Sequence, residues 1–360
     1  MKIDKNMDCL LCGKNAALRE ASFPGYQEPE HFGIYYCASC DTSFSYPRVV
    51  DTQHVYELIY KHADKLPGYN RYVKYANVVK AHKNPLQYLS ESEEMYWGVK
   101  QTLEQIPSPK KTLKIIEIGC GLGYLTYSLV QDGYCAVGLD ISQNAIDEAT
   151  KNFGHHYICA DIMEYAVQHQ GAYDVVILTE VIEHIENPIK FLKCAMLLIS
   201  NKIMGGGKIL LTAPNKTIYD KSIVWATASP PVHLWWFSEA SMKYIAGSLN
   251  ADIRFVDFSN YYKRKPKFVK NVKTPRSSQA VNHIFDKNGE ITRETIRETA
   301  QNRAKKLSRK LRYLITKLPF AKYIYSKIVK QNYLCEKKGG VLGVELTIKP
   351  QDVDTTQARY

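Results

Sequence analysis

The sequence predicts an α/β fold built on a doubly wound, mainly parallel sheet of seven strands, and three observations carry that prediction. Short apolar runs recur at 114–118, 135–139, 156–160, 173–179, 207–212, 252–258 and 341–348. Helical stretches alternate with them at 123–131, 142–151, 188–200 and 239–248. Such alternation implies parallel strands joined by right-handed crossovers. The first run ends in Glu117 and then places Gly119, Gly121 and Gly123 at every second position. Glycines just past a buried strand allow a tight turn and close approach of a ligand.

The glycine turn does not fit a dinucleotide. That fingerprint needs a third glycine where Tyr124 or Thr126 stands, under a pyrophosphate at a helix start. No Gly-Lys-Ser/Thr follows, so a P-loop is excluded as well. The pattern Glu117-x-Gly119-x-Gly121-x-Gly123 resembles motif I of class I S-adenosylmethionine-dependent methyltransferases. Further elements follow in that family's order across 113–259. The resemblance implies a Rossmann-like methyltransferase sheet. It implies that Glu117 and the three glycines hold the amino-acid end of the cofactor. Asp140 would take the ribose hydroxyls and Asp161 the adenine amine, with Glu180 facing the same site.

Beyond the fourth strand stands Glu180-x-x-Glu183-His184, and much later His233. This run resembles two groups of the fold, the ubiquinone-pathway O-methyltransferases and the RNA 3′-terminal 2′-O-methyltransferases. In the second group the corresponding residues hold Mg2+, which makes Glu180, Glu183, His184 and His233 a divalent-metal expectation. The same run also occurs where no metal is used. There Glu183 caps the next helix, His184 is the general base or lines the pocket, and His233 is a second candidate base. Both readings stand at this point.

Two C-x-x-C knuckles, Cys9/Cys12 and Cys37/Cys40, lie 24 residues apart. Two thiolate pairs at this spacing complete a closed tetrahedral Zn2+ site of the structural kind. Nine cysteines, an odd set, fit reduced thiols better than a disulfide framework. Tyr56, Tyr60, Tyr69, Tyr72, Tyr75, Tyr88, Tyr96 and Trp97 crowd the following stretch. Most of them are expected to pack the ribbon onto the main domain, and a few to roof the cofactor.

Four segments are therefore expected: a zinc ribbon at 1–48, a helical linker or cap at 49–110, a methyltransferase core at 111–260 plus 340–350, and a basic helical insertion at 261–339. The chain of 360 residues, 45% apolar, is long enough for this. Its net charge of +12 is local: residues 261–340 hold 22 Lys/Arg against 5 Asp/Glu, and the remainder is slightly acidic. Within the insertion, Leu307, Leu311, Leu314, Ile315 and Leu318 recur at helical spacing among lysines and arginines. Three readings are open there: a solvated helix, an interfacial helix on an anionic membrane, and a phosphate contact. The insertion leaves the sheet at the carboxyl end of strand 252–258, which places it near the substrate mouth.

No apolar run reaches the roughly 20 residues of a spanning helix, and the first residues lack an apolar signal core. The expected location is cytoplasmic, with peripheral contact at the inner membrane face. Ribbon, tyrosine-rich linker and core together look like bacterial sugar and surface-polysaccharide methyltransferases. Three functions are weighed: O-methylation of a small-molecule or glycan acceptor that is free or lipid-linked, RNA methylation, and a non-catalytic cofactor-binding partner protein.

Overall fold

The computed structural model describes residues 4–48, 52–66, 68–200, 206–218, 229–264, 282–293, 295 and 340–348. In chain order, β1 (Asn6–Asp8), β2 (Asn15–Pro24), β3 (His31–Cys37) and β4 (Thr42–Tyr46) form an antiparallel meander. Four helices follow: α1 (Gln53–Lys61), α2 (Asn70–Val78), α3 (Pro85–Ser92) and α4 (Glu94–Glu104). Strands and helices then alternate as β5 (Lys114–Ile118), α5 (Tyr124–Gln131), β6 (Cys135–Asp140), α6 (Gln143–Phe153), β7 (Tyr157–Cys159), α7 (Ile162–Gln168), β8 (Val175–Thr179), α8 (Pro188–Leu197) and β9 (Lys208–Pro214). The chain continues with β10 (Trp235–Trp236), α9 (Glu239–Ser248), β11 (Ala251–Phe255) and β12 (Val341–Ile348).

The main sheet has seven strands in the order β11-β12-β9-β8-β5-β6-β7. Neighbours within β9-β8-β5-β6-β7 run parallel. β12 is antiparallel to both β9 and β11, so the sheet is mixed where alternation alone predicts parallel. An antiparallel strand needs no crossover helix, so β12 can enter directly beside β9 and β11. Consecutive residues Ile115 and Ile116 are both fully buried and belong to different apolar clusters. That is the signature of a strand covered on both faces. The fourth strand starts later than its apolar run because Asp174 is used otherwise. Its backbone and carboxylate tie the start of β5, the Lys114 N–H donating to Asp174 Oδ2 at 2.9 Å.

β10 was not expected. It pairs with β4 through Trp235↔Phe44 and Trp236↔Ser43, so the ribbon sheet takes its fifth strand from the core. Trp235, Trp236 and Phe44 are buried there. Polar links add to the seam. Thr42 Oγ1 donates to Ser241 Oγ at 2.8 Å, and the buried Lys216 ammonium lies 3.1 Å from Asp41. Cys9, Cys37 and Cys40 therefore share one apolar cluster with the sheet residues Ile116, Val176 and Leu211.

The amphipathic residues 303–330 lie outside the described residues. Residues 282–293 are described, and they form a small hairpin. Phe285 bridges Ile291, the Thr292 N–H donates to the Ile284 carbonyl, and Asp286 Oδ1 accepts from the N–H groups of Asn288 and Glu290. Phe285 is fully buried among Tyr26 of the ribbon, Val55 and Ile59 of α1, and Val232. Among the described residues, no helix is long and apolar enough to cross a membrane.

Candidate active site

A cavity of about 580 Å3 opens beside the carboxyl ends of β5, β6 and β8, lined in part by Glu117, Gly119, Gly121, Asp140, Glu180, Glu183, His184 and His233. This is where ligands bind in open α/β sheets, and the volume falls among those of ligand pockets. Asp140 fixes the glycine turn: its Oδ2 accepts from the Gly121 N–H at 2.8 Å and its Oδ1 from the Ser142 N–H at 2.9 Å. No heavy atom stands within 4 Å of a Cβ built on Gly121, so that face of the turn is open.

Gly123 does something different and does not line the cavity. Its φ is +76°, and a Cβ there would sit 2.6 Å from both Ala149 and the Tyr157 ring. The Tyr157 hydroxyl donates to the Gly123 carbonyl at 2.7 Å. Gly123→Ala is therefore expected to destabilise the fold by about 3 kcal/mol, combining left-handed strain with overpacking. Urea denaturation checks this, through a lower midpoint at unchanged slope. Asp161 also stands outside the cavity lining. Its carboxylate accepts from the Met163 N–H at 2.6 Å and caps the start of α7. The N-cap occupies Oδ1 of this carboxylate and leaves Oδ2 uncommitted to it.

The expectation that most of the linker tyrosines merely pack gives way. Tyr56, Tyr60, Tyr69, Tyr72 and Tyr96 line the cavity together with Arg71. Tyr96 and Tyr124 share a hydroxyl–hydroxyl hydrogen bond of 2.5 Å, and the Tyr75 hydroxyl donates to Glu93 Oε1 at 2.7 Å. Burial pushes the Tyr72 phenol up to about 12. Sequence reading missed Arg71. Its signal was weak, one of two cations, with Lys74, in a helix that also carries Tyr72 and Tyr75.

Glu180 leaves β8 with φ +55°, a strained conformation for a non-glycine residue. A 3-10 turn, Ile182–His184, then presents Glu183 and His184. His184 Nδ1 lies 2.7 Å from the Val232 carbonyl. A carbonyl only accepts, so Nδ1 carries the proton and Nε2 keeps a free lone pair. The His233 ring stands edge-on to His184 with centroids 4.6 Å apart. Burial lowers the pKa of His184. It takes His233 well below the usual imidazole value, helped by His184. Both rings are neutral near pH 7. Both oxygens of Glu183, Oε1 of Glu180 and Nδ1 of His233 are buried without a partner.

Three carboxyls in the cavity have raised pKa values. Burial pushes Glu117 up to about 8, opposed by its hydrogen bond from Thr126. Burial pushes Glu180 up to about 7 against the pull of Arg71. Glu183 is raised well above the carboxylate range by burial and then by Glu180. The ordinary value for each is 4.5. A raised folded-state value means the folded state binds more protons than the unfolded chain. The stability this gives is complete below pH 4.5 and is lost as pH rises through about 7 to 8. Urea midpoints of the ligand-free protein should accordingly fall between pH 5 and pH 8, and Glu117→Gln should flatten that fall. A fall of the same size in the variant removes Glu117 as its source.

Two groups of side chains are placed as a metal site requires. The sulfurs of Cys9, Cys12, Cys37 and Cys40 lie within 4.8 Å of one another, Cys9–Cys40 at 3.7 Å and Cys12–Cys37 at 3.6 Å. Thiolates about 2.3 Å from a tetrahedral zinc stand ~3.8 Å apart, so the four sulfurs fit that ion. The second group is Glu183, His184 and His233. Glu180 is not part of it, so the expected four-residue set narrows to three.

The strand order, the glycine turn after the first sheet strand and the acid closing the second define a Rossmann-like α/β domain with its ligand cavity at the carboxyl edge of the sheet. Residues 93–254 match the family described as Methyltransferase domain. Over 122 residues the chain is 30% identical to the ubiquinone biosynthesis O-methyltransferase of Vibrio parahaemolyticus, covering 31% of this chain and 48% of that protein. It is also 30% identical over 147 residues to the mitochondrial ubiquinone biosynthesis O-methyltransferase of Dictyostelium discoideum, covering 37% of this chain and 44% of that one. The chain thus spans about half the length of the curated relatives it matches. Among solved structures, a SAM dependent methyltransferase from Archaeoglobus fulgidus aligns with a TM-score of 0.37 at 19% identity, covering 44% of this chain and 69% of that chain. The fold assignment rests on the sheet itself and not on that likeness.

Proposed function

We propose that this protein methylates a hydroxyl of a small-molecule acceptor, using S-adenosylmethionine, with His184 as general base and a structural zinc ion in the Cys9/Cys12/Cys37/Cys40 cluster. One observation carries the reading: a single cavity joins the glycine turn and Asp140 to an imidazole whose Nε2 is free to accept a proton. When bound, S-adenosylmethionine supplies an electrophilic methyl on its sulfonium. Gly121 leaves room for a ligand against the turn, and Asp140 orients the turn and can accept ribose hydroxyls. His184 Nε2 takes the acceptor's proton, and His233 and Glu183 lie beside it. The aromatic wall of Tyr56, Tyr69 and Tyr72 suits a flat ring or the apolar face of a sugar.

Two features favour this over RNA methylation. The RNA-type reading rests on four residues holding Mg2+, and only three come together. Two imidazoles with one carboxylate are also a poor match for Mg2+, which prefers oxygen ligands. The membrane and phosphate readings of 303–330 fall outside the described residues and play no part here.

The test is transfer of a labelled methyl group to panels of phenols, catechols and sugar alcohols, beside calorimetric titration with S-adenosylmethionine. Transfer to a hydroxyl is expected, and absence of saturable cofactor binding would sink the proposal.

A further inference from the structure

Residues 282–293 belong to the basic segment, yet they are bonded to the elements that build the acceptor side of the cavity. The N–H groups of Ile284 and Phe285 both donate to the Tyr26 carbonyl, at 2.9 and 2.8 Å. The Glu28 N–H donates back to the Phe285 carbonyl at 3.1 Å. Tyr26 passes the connection on, because its own N–H donates to the Pro230 carbonyl at 2.9 Å. Just beyond Pro230 in the chain stands Val232, whose carbonyl accepts from His184 Nδ1.

Phe285 joins the same groups through packing. Its ring is fully buried and does not line the cavity. It lies in one apolar cluster with Val232 and with Val55 and Ile59 of α1. Tyr56 and Tyr60, on the same helix, do line the cavity. The Tyr26 ring stands 6.4 Å from that of Phe285, and the Tyr26 side chain hydrogen-bonds Tyr69, another lining residue. Close-packed interiors pass a loss of volume on to their neighbours. Removing this ring therefore loosens both the carbonyl that orients the base and the helix that carries the acceptor wall. The glycine turn is held by other groups. The N–H groups of Gly119 and Cys120 donate to the Leu139 carbonyl, and Asp140 accepts from the Gly121 N–H.

We propose that Phe285 is a positioning residue for methyl transfer, holding Val232, and through it the His184 imidazole, against the α1 wall. This rests on the reading of His184 as the base. The two halves of the cavity are then supported separately. Loss of Phe285 disturbs the base and the acceptor wall and spares the donor side.

The experiment compares Phe285→Ala and Phe285→Leu with wild type, each as the full chain. Three quantities are measured: turnover at saturating donor and acceptor, the Kd of S-adenosylmethionine, and the 15N spectrum of histidine-labelled protein. His184→Gln identifies the His184 signals. Turnover of Phe285→Ala should fall roughly tenfold or more, as for a displaced base, while Kd stays within about threefold. Wild type should show His184 protonated at Nδ1, and Phe285→Ala should lose that preference. Phe285→Leu refills most of the volume and should recover turnover to within about threefold of wild type. Where Phe285→Ala does not fold, Phe285→Val is measured in its place and should show the same pattern. Unchanged turnover overturns the proposal. A parallel loss of turnover and donor affinity also overturns it, since Phe285 is then a general support of the fold. If wild type transfers no methyl group, the function proposed above is what fails. The 15N spectrum still decides the positioning role, and an unchanged His184 tautomer in Phe285→Ala overturns it.

Discussion

Removing the zinc ion proposed for the Cys9/Cys12/Cys37/Cys40 cluster is expected to disable the active site as well as the ribbon. The ribbon has no separate core: Cys9, Cys37 and Cys40 share an apolar cluster with the main sheet. Its last strand holds β10 through Phe44 and Ser43, and the Ser45 N–H donates to the Leu234 carbonyl. One residue before Leu234 is His233, and one before that is Val232, whose carbonyl fixes the His184 tautomer. The Leu234 N–H itself donates to the Glu183 carbonyl at 2.9 Å. Structural zinc contributes on the order of 10 kcal/mol or more to folding small zinc-bound units, so its loss releases β4 and with it the 232–236 segment. Chelation, or Cys37→Ser, should lower methyl transfer at least tenfold. The fluorescence of buried Trp235 and Trp236 should shift to the red in parallel. Added Zn2+ should restore both signals to the chelated wild type. Full activity in a zinc-free, unfolded ribbon would cut the proposed link between the two.

The core was legible because its signals are local. Strands 114–118 and 135–139 and the turn at Gly119 are short-range consequences of apolar runs and glycines. The four-cysteine cluster was legible from spacing alone. What stayed hidden depends on contacts between distant segments. Trp235-Trp236 is too short to read as a strand, and only pairing with β4 makes it one. The tyrosines of α1, α2 and α4 show helical spacing, yet their cavity-lining role depends on how those helices dock over the glycine turn. Asp161 shows a limit of another kind. A motif match cannot tell a ligand contact from an N-cap, because both put an acid at a strand end before a helix. Phe285 lies in a segment whose composition announces only charge, while its apolar pair Ile284-Phe285 seals the ribbon to α1.

Replacing His184 by alanine is expected to lower turnover by roughly 10²- to 10⁴-fold, the range typical of a lost general base. The affinity for S-adenosylmethionine should stay within threefold, because the glycine turn, Asp140 and Glu117 do not depend on this ring. The argument turns on its two nitrogens. Nδ1 is committed to the Val232 carbonyl, so Nε2 is the basic atom and a substituted side chain cannot reproduce it. Burial lowers the pKa of His184, which keeps the ring neutral and ready to accept a proton at pH 7. For a base, activity falls as pH drops through its pKa. The lowered value therefore moves the acid limb of kcat/KM below the ordinary imidazole value of 6.5. His184→Ala should lose that limb altogether, whereas His233→Ala should keep it at a changed position, since His233 shapes the surroundings of the base without being the base. If His184→Ala lost cofactor binding and kept its rate at saturation, the imidazole would be a structural prop of the cavity, and the base would have to be sought at His233.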